Sequence, residues 1–120
     1  MKANYPLEII FNAVCDYFQF SKEEILYKER TKNLVLARQI FCYISDEFST
    51  SSQGKIGRFI GYTNGNVIYS INEIKIKKEI EKGVKKDVEG VISNLFQADS
   101  IVIHDIDLLK LTENYSKLFN

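Results

Sequence analysis

The chain of 120 residues carries 16 basic and 16 acidic side chains, a formal net charge of zero, and 45% of its residues are hydrophobic. This length predicts a single domain large enough to bury a core, and the composition is typical of globular proteins. Zero net charge excludes binding of nucleic acid by overall positive charge, although a local basic patch is compatible with it.

Cysteine and histidine content argues against a metal site. Cys15 and Cys42 both lie in apolar patterns of helical spacing, where buried free thiols are the usual outcome. With one histidine and no closely spaced pair of cysteines, neither a structural zinc site nor any other cofactor is expected. The N-terminus has no signal-peptide core, and no apolar run is long enough to span a bilayer. We therefore expect a reducing, cytoplasmic setting.

The first two predicted helices are separated by a short junction. Pro6 suits the first turn of a helix, and apolar residues then repeat at helical spacing. These residues are Leu7, Ile10, Phe11, Val14, Tyr17 and Phe18. Ser21 and Glu24 have the spacing of a capping box, which predicts a second helix after Ser21. That helix must be short, because the polar run KERTKN of residues 28–33 follows it and is expected to be an exposed basic loop.

A third helix is predicted between Leu34 and Phe48, where apolar residues mark a buried face. They are Ala37, Ile40, Phe41, Ile44 and Phe48. Residues 49–52 form a polar turn with several candidate N-caps, and a short helix that contains Ile56 and Phe59 follows it. Gly61 is expected to end this short helix, so the centre of the chain reads as two helices joined by a glycine-containing turn.

The next helix is predicted to be long, with Thr63 or Asn64 as its N-cap and Gly83 as its C-cap. Its inward residues are expected to be Val67, Ile68, Ile71 and Ile74, with Ile80 as a further candidate. Another amphipathic helix follows, and its apolar face is formed by Val84, Val88, Val91, Ile92, Leu95 and Phe96. Residues 105–119 are expected to form a last helix or a docked tail. The sequence therefore predicts an all-α bundle of six to seven helices.

Several of these segments together resemble the C-terminal DNA-binding domain of the bacterial replication initiator DnaA, a helix-turn-helix of the Trp-repressor-like kind. The resemblance begins near Leu7 and covers most of the chain. It is carried by the segment from Tyr17 to Leu26, the loop KERTK, the A-R-Q triplet of residues 37–39, the pair Glu47 and Phe48, the I-G-R triplet of residues 56–58, and NVIYSINEI of residues 66–74. The resemblance implies binding of double-stranded DNA by a helix-turn-helix fold.

The resemblance also implies a set of contacts. In this family the second helix of the motif enters the major groove, so Thr63, Asn64, Asn66 and Ser70 would face base edges or phosphates, where their amides and hydroxyls can hydrogen-bond. Arg30 aligns with a loop arginine that reaches into the minor groove. The other implied contacts to phosphates or bases are Lys28, Lys32, Arg38, Gln39, Lys55 and Arg58.

Alternatives remain open for each group at this point. The polar residues near Thr63 can serve only to cap a helix, the loop charges can be merely solvated, and Arg38 can pair with Glu47 or another carboxylate. His104, with Asp105 and Asp107 beside it, has no partner nucleophile, so no enzymatic activity is expected.

The sequence departs from the family pattern at the positions that would read bases. The family's D-H-T-T signature is replaced here by T-N-G-N of residues 63–66, one residue is missing between Arg58 and Phe59, and Glu29 stands where the loop is otherwise basic. A Walker-type phosphate-binding motif is also absent from the sequence, so the nucleotide-hydrolysing domain of full-length initiators is not expected here.

Two functional hypotheses follow. The first is a stand-alone protein that binds double-stranded DNA in replication or its regulation, with a helix-turn-helix domain in residues 1–98 and a C-terminal extension in residues 99–120. The rival is a module that has lost DNA binding and contacts proteins, including the replication initiator or other replication proteins. A monomer is expected, with dimerisation open through the extension, and no membrane contact. Convergence of the basic residues on one face would favour DNA.

Overall fold

The computed structural model describes residues 4–27 and 29–106, with side chains up to residue 97, and this part of the chain contains six helices and no strand. The helices are α1 (Leu7–Phe18), α2 (Lys22–Leu26), α3 (Lys32–Phe48), α4 (Gln53–Ile60), α5 (Asn64–Ile80) and α6 (Lys82–Ile106). The predicted all-α fold is therefore confirmed.

Side-chain caps determine where four of the helices begin. The hydroxyl of Ser21 accepts from the Glu24 amide at 3.1 Å, and the Glu24 carboxylate accepts from the Ser21 amide at 2.9 Å, which confirms the capping box. Thr31, Ser52 and Thr63 cap α3, α4 and α5 in the same way through their hydroxyls. Each cap is worth about 1 kcal/mol because it satisfies an amide that has no partner inside the helix.

Two predicted boundaries were wrong. The basic loop is shorter than expected, because Thr31 caps α3 and places Lys32 and Asn33 in its first turn. Gly83 does not end the long helix: α5 stops at Ile80, Glu81 has extended backbone angles (φ −120°, ψ 110°), and Gly83 lies in the first turn of α6.

The inward face of α5 also differs from the prediction. Val67, Ile71 and Ile74 are buried as expected, but Ser70 takes the fourth buried position. Ile68 and Ile80 are exposed, Ile80 to 73%. The apolar run of α5 is broader than its contact with the core, so periodicity alone could not choose among these isoleucines.

The core lies around α3, which packs against α1, α4, α5 and α6. Phe11, Phe41 and Phe59 join three of these helices, with ring centroids 5.3 to 5.6 Å apart. α1 and α6 approach closely where Tyr17 lies against Gly90: a Cβ placed on Gly90 would be 2.1 Å from the Tyr17 ring. The Tyr17 hydroxyl donates to Asp87 at 2.8 Å.

The turn between α4 and α5 depends on two glycines. Gly61 ends α4 with φ 76°, in the left-handed region that favours glycine, and the Tyr62 amide donates to the Gly57 carbonyl at 2.8 Å. A Cβ on Gly57 would lie 2.5 Å from the Tyr62 carbonyl oxygen. A side chain at position 57 would therefore collide with the main chain of the turn that leads into α5.

Both cysteines are free and buried, as predicted. Burial raises the pKa of the Cys42 thiol to about 12, and burial also raises that of Cys15. Within residues 4–27 and 29–106, no helix combines the length and the apolar character needed to cross a membrane. α6 runs on through residue 99, where the extension was predicted to begin, to Ile106. The predicted tail beyond Ile106, and the side chain of His104, lie outside the described residues, and the domain division stays a prediction.

Candidate nucleic-acid interface

The helices α4 and α5 and the glycine turn between them form the predicted helix-turn-helix unit. Thr63, Asn64 and Asn66 are exposed at the start of α5. The Thr63 hydroxyl accepts from the Asn66 amide at 3.1 Å, so it serves as the cap. The side chains of Asn64 and Asn66 make no hydrogen bond within the described part of the chain, and their amide groups are available to a ligand.

A cleft of about 420 Å³ separates the start of α5 from the loop between α2 and α3, of which Tyr27 and Arg30 line the cleft. It brings together five residues that the sequence predicted to contact DNA: Arg30, Arg38, Gln39, Asn66 and Ser70. The rest of its lining is Leu26, Tyr27, Val35, Ile60, Gly61, Tyr62 and Tyr69. The loop and the helix-turn-helix unit therefore line the same cleft, although they are far apart in sequence.

Arg30 is exposed on the loop side of the cleft and makes no hydrogen bond or ion pair with any described residue. Lys32 is also exposed, in the first turn of α3. Lys28, a predicted phosphate contact, lies outside the described residues. The two ion pairs among described residues are Lys22–Glu8 and Lys77–Glu73, and none of these four residues lines the cleft. Arg30 is therefore a cation without a carboxylate partner.

Arg38 does not have the exposed position that direct contact with DNA requires. It is 5% exposed, and its guanidinium donates to the carbonyl oxygens of Ile25 (2.6 Å), Glu29 (2.7 Å) and Tyr27, with a longer contact to that of Glu24 (3.5 Å). The alternative of an ion pair with Glu47 or another carboxylate is also wrong. The partners are main-chain carbonyls, which sequence patterns do not reveal.

Ser70 and Gln39 are also almost buried. Ser70 is 2% exposed and lies beside Cys42, so it belongs to the contact between α3 and α5; its side chain lowers the pKa of the Cys42 thiol against the larger effect of burial. Gln39 is 7% exposed and lines the cleft. Neither side chain is exposed as that of Arg30 is, and the contact of both with DNA stays a prediction.

Lys55 and Arg58 occupy different positions although both lie on α4. A Cβ on Gly54 would lie 3.5 Å from Arg58 Nη1 and 3.4 Å from Asn64 Oδ1, so Arg58 and Asn64 share a patch beside the turn. Lys55 lines a separate depression with Asn4 and Thr50 at the start of α1. The basic residues converge only in part: Arg30 and Arg58 flank the start of α5, and Lys55 does not line the cleft.

The sequence did not single out the aromatic residues of the cleft. Tyr69 is 60% exposed on α5, and Tyr27 is still more exposed on the loop. Tyr62 is half-buried: burial raises the pKa of its hydroxyl, while the positive charges of Arg38 and Arg30 lower it. The available signal for Tyr69 was its place on α5, opposite the buried Val67 and Ile71.

Comparison with known proteins shows which family this chain resembles. Residues 7–74 match the family described as the bacterial DnaA protein helix-turn-helix. Chromosomal replication initiator proteins DnaA are similar over most of the chain. That of Bacteroides fragilis is 31% identical over 71% of this chain and 18% of its own length, and that of Geotalea daltonii is 34% identical over 74% and 20%. The chain thus spans about a fifth of the length of these curated relatives.

Proposed function

The chain belongs to the bacterial DnaA helix-turn-helix family, and from that premise we propose that it binds double-stranded DNA through the cleft and the start of α5. One observation carries the proposal: Arg30, an exposed arginine without a carboxylate partner among the described residues, lines the same cleft as Asn66 at the start of α5. Positive charge and free amide groups are the two chemical elements that a DNA reader needs.

The two sides of the cleft suit different parts of DNA. The first turn of α5 offers Asn64 and Asn66, whose amides can bond to an adenine edge in the major groove. Arg30 and Lys32 offer charge to phosphates or to the minor groove, where the negative potential attracts a guanidinium. Arg58 beside Asn64 is a further phosphate contact on the opposite side of the α5 start.

The proposal also covers the bounds of the DNA-binding unit, its cellular setting and its target sequence. We place the DNA-binding unit in residues 1–98 and assign it a stand-alone role in replication or its regulation, in the cytoplasm, as a monomer that binds DNA without catalysis. The relatives are named as chromosomal replication initiators, which supports a replication context. The altered T-N-G-N tetrad at residues 63–66 indicates a target sequence different from that of the initiators.

A second candidate function is supported by the outward face of α5. Tyr69, Ile76 and Ile80 are exposed along this face, and large exposed apolar side chains in a row are typical of protein contacts. On this reading the chain contacts a protein, such as a replication initiator, and no longer binds DNA.

Selection from a random pool of duplexes, repeated over a salt series, separates the two functions. DNA binding predicts an enriched motif and affinity that falls linearly with the logarithm of salt concentration. If the selection gives no enriched motif and no salt-dependent retention, the protein-contact function is the better explanation. Competition between the enriched duplex and the same duplex with its motif scrambled then measures specificity directly.

A further inference from the structure

Arg38 is a buried cation that the proposed DNA contacts do not use. We infer that Arg38 is a positioning residue, which holds the loop at Tyr27 and Glu29 so that Arg30 is presented to DNA in one orientation. This inference rests on the proposed DNA binding, and it differs from the role that the sequence predicted, in which Arg38 touches DNA itself.

The hydrogen bonds of Arg38 tie two short segments to α3. The carbonyls of Glu24 and Ile25 belong to the last turn of α2, where helical carbonyls have no partner within the helix. The carbonyls of Tyr27 and Glu29 belong to the loop. The planar guanidinium with its several N–H groups can reach all of these acceptors from one side chain, which the single ammonium of lysine cannot do.

Arg30 is held in the backbone on both sides. Before it, the carbonyl of Glu29 accepts from Arg38 at 2.7 Å, and after it, the hydroxyl of Thr31 caps α3 by accepting from the Leu34 amide. The Arg30 side chain between these two anchors remains exposed. A loop that is ordered before binding loses less conformational entropy when DNA binds, so its arginine contributes more to affinity.

The same burial argues against a direct contact by Arg38. Its guanidinium is directed at carbonyl oxygens, and its whole side chain is almost inaccessible. Its charge still affects the cleft. Burial raises the pKa of Tyr62, and the charge of Arg38 opposes this rise more strongly than the charge of Arg30 does. Arg38→Lys keeps the charge and removes only the planar guanidinium with its several N–H donors, and it therefore isolates the positioning role.

The test is a double-mutant cycle on DNA affinity with Arg38→Lys, Arg30→Ala and the double variant, using the duplex enriched in the selection. We expect each single variant to lose about tenfold or more, and Arg38→Lys to have little further effect when Arg30 is already alanine. Losses that multiply in the double variant, or an Arg38→Lys variant with wild-type affinity, would overturn the inference. Lys85→Arg is the matched control: it also exchanges one cationic side chain for the other, and because Lys85 lies away from the cleft we expect wild-type affinity.

Hydrogen exchange of the free protein provides a readout that does not depend on DNA. Arg38→Lys should speed exchange of the amides of residues 29–31 and leave the buried amides of α3 and α5 unchanged, whereas Lys85→Arg should change neither. If wild type binds no duplex, the proposed function fails, and faster loop exchange in Arg38→Lys would still establish the ordering role. Unchanged loop exchange would reject that role whether or not DNA binds.

A second variant covers the case in which Arg38→Lys does not fold. Thr31→Ala removes the anchor on the other side of Arg30 at an exposed position, so the core is unaffected. We expect Thr31→Ala to weaken DNA binding when Arg30 is intact. When Arg30 is already replaced by alanine, Thr31→Ala should cause no further loss. An equal loss in both backgrounds would contradict the view that the anchored loop acts through Arg30.

Discussion

The loop between α2 and α3, with Tyr27 and Arg30, and the first turn of α5 face one cleft, but they differ in support and in chemistry. The loop is held by hydrogen bonds from Arg38, which lies 9 to 14 residues away from its partners, and it offers the positive charge of Arg30. The start of α5 is held locally, by the Thr63 cap and the glycine turn, and it offers the uncharged amides of Asn64 and Asn66.

This difference indicates a division of work between the two regions. Charge contributes affinity for any duplex, whereas amide groups at a helix start discriminate between base pairs. Because the two regions are supported separately, each can be altered without disturbing the other.

Gly57→Ala should disrupt the α5 side and give the largest effect. The new Cβ would lie 2.5 Å from the Tyr62 carbonyl oxygen and 3.2 Å from a Val67 methyl, and a backbone atom cannot move away cheaply. We expect the free energy of unfolding to fall by about 3 kcal/mol, measured by urea denaturation, with DNA affinity reduced as well.

Gly83→Ala is the control for this change, since a Cβ there meets no atom within 4 Å. Alanine in a helix is otherwise favoured over glycine by about 0.5–1 kcal/mol, so Gly83→Ala should be neutral or stabilising. If Gly57→Ala behaved like Gly83→Ala, the close approach at the turn would not restrict this position.

Arg30→Ala should weaken the loop side alone. We expect a loss of about 2 kcal/mol in binding to most duplexes and a salt dependence reduced by about one charge, because one cationic contact is removed. Binding isotherms over a salt series measure both quantities. Lys85→Ala, in a groove away from the cleft, removes the same charge and should change neither. An unchanged salt slope for Arg30→Ala would remove the loop from the DNA surface.

Asn66→Ala should affect the α5 side by relaxing sequence preference. We expect about 1.5 kcal/mol less discrimination at one or two base pairs, with the salt slope unchanged, because an amide contact to a base edge is lost and no charge is. Repeating the duplex selection with the variant reveals the position affected. A uniform loss over all sequences would instead assign Asn66 to the phosphate backbone.

Ile80→Ser should have the smallest effect, and it tests the outward face at the far end of α5. Ile80 is 73% exposed, so stability should change by less than about 0.5 kcal/mol and DNA affinity should remain that of wild type. Thermal unfolding and binding to the selected duplex measure these values. Weaker DNA binding would extend the interface along α5 and blur the contrast between its two ends.

Local chemistry made part of the molecule predictable. Ser21, Ser52 and Thr63 cap helices where the sequence placed candidates, because a cap involves residues only three positions apart. The start of α3 was placed too late, since the polar run around Thr31 contains no apolar residue to mark the first turn. The break at Glu81 was missed because periodicity continues across it.

The candidate site was predictable only as a set of residue types. Arg38 and Ser70 were assigned to DNA by the resemblance to the family, yet Arg38 donates to carbonyls of α2 and the loop, and Ser70 is buried between α3 and α5. Tyr69 and Tyr27 were not singled out, because their exposure depends on which helices pack against them.

By itself, the sequence determined the all-α class, most of the caps, the buried face of α3 and the family, because these depend on neighbours along the chain and on residue identity. The tertiary structure decided which polar groups are exposed in the cleft and which are buried and bonded inside the protein. Exposure of a side chain depends on the helices packed against it. Arg30 is therefore exposed and Arg38 buried, although they lie only eight positions apart in the chain.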